Sequence, residues 1–203
     1  SSKGIYTLEA NDVIEENEVE ALVEDAKFDT LIREASDFQK KRQFDEAAEL
    51  LLANVDSFTS EKYQFLIYSR IGILFNSIGD FERAAVNLEK AQTLQPNDPG
   101  LVANYSAILL GKGDVQKAID LLNGIAIETL SNKTNLFTIH FNFACAYSLN
   151  GKNEEATTHL ELAARTDPVS CYASMGDTML DNIRESAAFD QIKTALERLL
   201  RNL

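Results

Sequence analysis

The stretch from Tyr68 to Pro96 alternates large and small apolar residues at helical spacing on either side of a polar turn. Gly72 and Ala84 are the small residues, and the large ones are Tyr68, Phe75 and Leu88. Two short antiparallel helices approach closely only where small side chains leave room for large ones. The pattern therefore predicts two helices that pack against each other and are joined by a turn at Gly79-Asp80.

The same pattern recurs along the chain. The turn glycine Gly79 recurs after 34 residues as Gly113 and after a further 38 residues as Gly151. Going backwards by 37 residues, Ala84 corresponds to Ala47, although Arg42 stands where the turn glycine is expected. Four units in one register resemble the tetratricopeptide repeat, a unit of two antiparallel helices. We place them at 28–61, 65–98, 99–132 and 137–170, where the third lacks the closing proline.

The resemblance implies an all-α protein, a right-handed α-α superhelix of about four repeats followed by a C-terminal cap. Residues 171–203 are expected to form the capping helices, including one helix over 183–200. The tail resembles the closing segment of many bacterial tetratricopeptide repeat proteins, in which apolar residues cover the last helix pair. By that resemblance we assign Leu180, Ile183 and Phe189 to the cap.

Residues 1–27 differ in composition from the repeats. Eight acidic residues lie between Glu9 and Asp25, and the only base before Ala26 is Lys3. Val19, Leu22 and Val23 nevertheless share one helical face. We expect an acidic segment that is partly helical or disordered, with a helical end against the first repeat. The alternative is a docking segment that folds onto the solenoid or onto a partner.

The overall charge narrows the class of partner. The 203 residues include 32 acids and 19 bases, a formal net charge of −13. This balance disfavours binding to nucleic acid, and no apolar run is long enough to span a bilayer. We expect a protein or peptide partner, no membrane insertion, a possible homodimer and a cytoplasmic location. Because the chain starts at Ser1 rather than at a methionine, a removed leader and a periplasmic or envelope location are the alternative.

The sequence contains few candidates for catalysis. His140 and His159 fall on different predicted helices and lack the spacing of a zinc site. Gly111-Lys112-Gly113-Asp114 lacks the features of a phosphate-binding loop and is explained by a turn between helices. Cys145 is expected to be a buried thiol. The sequence therefore predicts a protein that is not an enzyme and has no cofactor or metal.

The resemblance also implies a binding surface, because the first helix of each pair lines the concave groove of such solenoids. The groove residues assigned in this way are Arg70, Ile73, Asn76, Asn104, Ala107, Phe141, Asn142 and Cys145. An asparagine amide offers both a donor and an acceptor to a peptide backbone, and arginine can hold a carboxylate. Our hypothesis is that an extended peptide, with an acidic group, lies along Arg70, Asn104 and Asn142. The alternative is that these groups hydrate the groove or bond neighbouring helices.

Together these features indicate an interaction scaffold or adaptor. A dedicated chaperone of bacterial secretion systems and a periplasmic or envelope assembly protein are the alternative functions. Replacing both Asn104 and Asn142 with alanine is predicted to weaken peptide binding and to leave the melting temperature nearly unchanged.

Overall fold

The computed structural model describes residues 16–202, which form helices and connecting turns without a β-strand in that range. Residues 1–15 and 203 lie outside the described part, so the predicted acidic segment 1–27 is only partly covered. The α-helices are α1 (Glu16–Lys40), α2 (Phe44–Asn54), α3 (Glu61–Ser77), α4 (Phe81–Leu94), α5 (Pro99–Lys112), α6 (Val115–Asn123), α7 (Lys133–Leu149), α8 (Asn153–Thr166), α9 (Pro168–Ser174), α10 (Asp181–Arg184) and α11 (Ala187–Leu200). Short 3-10 helices occupy Val55–Ser57, Ile127–Thr129 and Thr178–Leu180.

Equivalent positions of the four helix pairs are buried alike. The alanines at the predicted small position are Ala47, Ala84, Ala118 and Ala156, and each has no exposed surface. The leucines one turn later are buried to the same extent. A β-carbon at Gly72 would overlap the Leu88 side chain and lie 3.2 Å from the carbonyl oxygen of Ala84. Small residues therefore set the close approach of paired helices, and the predicted all-α superhelical fold is confirmed.

The turns within the helix pairs share a left-handed residue. Gly79, Gly113 and Gly151 have φ of 77°, 84° and 72°, a region that glycine adopts without steric cost. Arg42 occupies the equivalent place in the first pair with φ of 62°. A backbone position that the other pairs give to glycine is thus held by a residue with a β-carbon, which explains why the first unit matches the pattern least well.

Helix α1 begins at Glu16, so part of the acidic segment is continuous with it. Helix α6 ends at Asn123, and Gly124 follows it. The predicted single helix over 183–200 is wrong, because Ser186 interrupts it and its hydroxyl accepts a hydrogen bond from the Phe189 backbone N–H as the N-cap of α11.

The C-terminal residues close the end of the solenoid. Leu180 and Ile183 are completely buried and Phe189 is 3% exposed, as the cap assignment requires. The Arg184 guanidinium donates to the carbonyl oxygens of Met175 and Asp177, both at 2.8 Å. These bonds hold the turn before α10 against its helix, and the segment packs on α7 and α8. The boundaries given above for the four units, the acidic segment and the cap stay predictions from the sequence.

Candidate peptide-binding groove

The predicted groove residues differ widely in accessibility. Ile73 and Asn76 on α3 and Asn104 on α5 are exposed, whereas Arg70 and Ala107 are half-buried. The three residues predicted on α7 are all buried, and these are Phe141, Asn142 and Cys145. Among the predicted groove residues, those accessible to a partner therefore lie on α3 and α5, and we call this surface the α3–α5 face.

Arg70 connects α3 to the preceding helix pair. Its Nη2 donates to Ser36 Oγ at 3.0 Å and to Gln39 Oε1 at 2.8 Å, and both acceptors belong to α1. Its Nε is buried without an acceptor among residues 16–202. Both partners are neutral, and within the described chain no carboxylate forms an ion pair with Arg70. The guanidinium charge on this face is therefore uncompensated by a neighbouring acid.

Asn142 does not fit the role that the peptide hypothesis gave it. The side chain is 6% exposed, and its amide nitrogen donates to the Ala103 carbonyl oxygen at 2.8 Å and to Ser106 Oγ at 2.9 Å. Both amide hydrogens are thus used within the fold. The alternative interpretation, a bond between neighbouring helices, describes Asn142. Of Asn104 and Asn142, only Asn104 keeps an exposed amide.

Phe141 and Cys145 are also withdrawn from the surface. Phe141 is 9% exposed and stacks on Phe137 with ring centroids 5.8 Å apart. Burial raises the pKa of the Cys145 thiol well above its usual range, and the nearby negative charge of Asp177 adds to this effect. Asp177 precedes the 3-10 helix Thr178–Leu180, which packs on α7, so the C-terminal segment covers this helix. The pattern of residues within one repeat does not show which of them the C-terminal cap buries.

Gln39 is a residue that the groove prediction omitted. It lies three residues after Ser36 on the same face of α1, and both accept hydrogen bonds from Arg70. Ser36 lies one repeat length before Arg70, and Gln39 follows Ser36 at helical spacing. The contact between Arg70 and Gln39 could have been predicted from this spacing.

The two histidines meet between α7 and α8. His140 Nδ1 and His159 Nδ1 are 3.2 Å apart, so one ring donates a hydrogen bond and the other accepts it. The His159 ring also stacks on Phe143 at 4.4 Å. Burial lowers the pKa of His159 to about 4, with a further contribution from His140, and burial lowers the pKa of His140 as well. Both rings are therefore neutral at pH 7, and the pair joins two helices within the core.

Other kinds of site receive no support from the described chain. Residues 16–202 contain no group of three or more histidine, cysteine, aspartate or glutamate side chains placed to bind a metal. Within the same range, no helix is both long and apolar enough to cross a membrane. The prediction that the protein is not an enzyme stays a prediction.

Comparison with known proteins agrees with the architecture. A family model described as tetratricopeptide repeat matches residues 79–132, from the turn of the second helix pair to the end of the third predicted unit. No curated protein sequence matches the chain.

Several solved structures share the fold at low sequence identity. MamA from residue 41 to its end, from Desulfovibrio magneticus RS-1, is 18% identical, with a TM-score of 0.63 over 85% of this chain and 96% of that one. A double mutant of MamA RS-1 is also 18% identical, with a TM-score of 0.66 over 87% and 98% of the two chains. A tetratricopeptide repeat protein from Parabacteroides merdae is 14% identical, with a TM-score of 0.52 over 85% and 73%.

Solenoids of this kind present extended surfaces for binding other proteins, and the fold is typical of interaction scaffolds. The four packed helix pairs, the family match and the shared architecture together show that the chain has the fold of tetratricopeptide repeat proteins.

Proposed function

We propose that this protein is a non-enzymatic scaffold that holds an extended, acidic segment of a partner protein across the α3–α5 face. The observation that carries the proposal is the guanidinium of Arg70, which has no carboxylate partner in the described chain and is half-buried beside exposed groove positions. A partly desolvated cation is stabilised by an acidic group, and a carboxylate of the partner can supply it.

Exposed side chains on the same face suit a peptide backbone and its apolar side chains. The Asn104 amide is exposed, and no hydrogen bond within residues 16–202 occupies it. Leu66 and Ile73 on α3 are 38% and 39% exposed, which supplies apolar surface next to the polar groups. An extended peptide needs both, because backbone hydrogen bonds orient it and apolar contacts supply affinity.

In this proposal Arg70 holds the acidic group of the partner, and Asn142 supports the surface from within the fold. Arg70 is already oriented by Ser36 and Gln39, so little side-chain entropy is lost when its charge meets a carboxylate. Asn142 fastens α7 to α5 and thereby positions the helix that carries Asn104.

Affinity capture with mass spectrometry tests the proposal when wild-type protein is compared with two asparagine variants. Asn104→Ala is expected to reduce recovery of the specific partner. Asn123→Ala is the matched control, because Asn123 is exposed at the end of α6, a second helix of a pair. A synthetic peptide covering the captured segment is then compared with the same peptide carrying Asn and Gln for Asp and Glu.

We expect the acidic peptide to bind wild-type protein and the Asn123→Ala variant equally, and the neutral peptide to bind roughly tenfold more weakly. Equal recovery of the partner by Asn104→Ala, or equal affinity of the neutral peptide, would contradict the proposal.

A further inference from the structure

The first turns of α1 carry an exposed apolar stripe formed by Val19, Leu22 and Val23. These side chains are 45%, 58% and 63% exposed, and Ala26, one turn further, is also exposed. The spacing of three and four residues places them on one face of the helix. A shallow hollow lies beside this stripe and is lined in part by Val19, Val23 and Thr59. An apolar helix face next to a hollow is the geometry that receives another helix.

The neighbouring side of α1 is fastened to the loop that precedes α3, and Glu24 and Lys27 line the same hollow as the stripe. The Glu24 carboxylate accepts hydrogen bonds from the backbone N–H groups of Thr59 at 2.6 Å and Ser60 at 3.2 Å. Lys27 Nζ donates to the Ser57 carbonyl oxygen at 2.7 Å. These bonds hold the beginning of α1 against the connection between α2 and α3, so the stripe has a defined orientation relative to the body of the protein.

Acidic side chains border the stripe. Glu20, Asp25 and Asp29 are exposed, and within residues 16–202 none of them forms an ion pair. The one base between residues 16 and 29 is Lys27, and its ammonium group is turned toward Ser57. A helix that covers the stripe would therefore meet negative charge along its edges.

We propose that the stripe on α1 binds a basic amphipathic helix of a partner protein. Its apolar face would cover Leu22 and Val23, and its flanking lysine or arginine residues would face Asp25 and Asp29. A second copy of this chain fits less well, because pairing two α1 helices would place the acidic borders against each other. This surface is separate from the α3–α5 face and prefers the opposite charge in its partner.

Binding of a labelled synthetic helix built from leucine and lysine to the full chain tests the inference, with a helix of leucine and glutamate as the counterpart. We expect the lysine helix to bind, more weakly as salt is raised, and the glutamate helix not to bind. Val23→Glu adds a negative charge, so purely electrostatic attraction would become stronger. Loss of the apolar contact should instead weaken binding of the lysine helix roughly tenfold.

Matched variants distinguish binding at the stripe from binding elsewhere on the acidic surface. Val86→Glu on α4 makes the same substitution at a valine that is 53% exposed, and it should leave binding unchanged. Neutralising Asp25 and Asp29 with asparagine should weaken binding several-fold, whereas neutralising Glu154 and Glu155 on α8 should not.

Four results would overturn the inference. They are equal binding of the glutamate helix, absence of lysine-helix binding, retention of binding by Val23→Glu, and self-association of the chain that Val23→Glu abolishes. Asn104→Ala should leave lysine-helix binding intact, so the outcome for this surface is independent of the outcome for the α3–α5 face.

Discussion

Asn104 and Asn142 occupy corresponding places in successive repeats and yet have opposite environments. Asn104 is exposed on α5, whereas Asn142 is buried and bonded to Ala103 and Ser106 of that same helix. The difference arises because α7 packs closely on α5, where Asn142 lies between the two helices, whereas α5 packs much less closely on α3. Residue type and register alone therefore do not decide whether an asparagine meets a partner or a neighbouring helix.

Asn142→Ala should lower the free energy of unfolding by roughly 1–3 kcal/mol, because it removes two hydrogen bonds and leaves a buried carbonyl and hydroxyl with fewer partners. Asn104→Ala should change it by no more than about 0.5 kcal/mol, as expected for an exposed residue. Chemical denaturation followed by circular dichroism measures both. Equal stability of the two variants would contradict the structural role of Asn142 and restore the sequence-based expectation that the pair is replaceable.

At the scale of elements, helices α7 and α8 are joined by the imidazole pair as well as by apolar packing. His140 is 7% exposed, and the rings lie among Phe143 and Tyr147. The pair was recognisable in the sequence only as two histidines on different helices of one repeat. Their contact depends on how α7 and α8 are rotated against each other, which the spacing along each helix does not specify.

Acidification should destabilise the protein through this pair. The ordinary histidine pKa of 6.5 falls to about 4 for His159 in the folded state. The unfolded chain therefore binds more protons between these values, and stability must decrease as the pH falls through this range. Below about pH 4 His159 contributes no further loss.

Urea denaturation at pH 7.5 and pH 5.2 measures this effect, and His159→Gln is expected to reduce the difference between the two pH values. Aspartate and glutamate side chains of ordinary pKa take up most of their protons below these two pH values, so they contribute little to the difference. An identical pH dependence in the variant would show that other groups are responsible.

At the scale of the whole molecule, each helix pair is stabilised mainly by the pairs next to it. Each pair contacts mainly its neighbours in sequence, and the C-terminal segment contacts α7 and α8. In solenoids of this kind a local destabilisation spreads mostly to adjacent units. Leu180 in the cap and Leu51 in α2 are both completely buried and lie near opposite ends of the chain.

Leu180→Ala should therefore increase hydrogen exchange most in α7 and α8, and Leu51→Ala should increase it most in α1 to α3. Each substitution removes a buried leucine side chain, a change that costs roughly 2–5 kcal/mol in well-packed cores. Exchange mapped by mass spectrometry compares the two variants under the same conditions. A uniform increase along the whole chain in both would indicate one cooperative unit instead of coupled neighbours.

Much of this architecture could be predicted from the sequence, because the patterns that predict it involve residues close together in the chain. A glycine at the turn, a small residue where helices touch and a large one a turn away recur in phase. This pattern predicted that α3 and α4 meet at the turn Gly79-Asp80, as the structure has them. Capping also acts locally, but Ser186 was overlooked because the apolar spacing continues across it, from Ile183 to Phe189 and beyond.

By itself, the sequence determined the helix pairs, their shared register and a chain rich in acidic residues, since all three follow from residues near each other or from composition. Only the tertiary structure decided that Asn142, Phe141 and Cys145 are buried and that the two histidines meet. It also decided that Arg70 forms no ion pair with an acid among residues 16–202. These outcomes depend on contacts between different helices, such as the 39-residue separation between Asn142 and Ala103. The physical reason is that burial and pairing are set by how helices cover one another, and no periodicity within one helix contains that information.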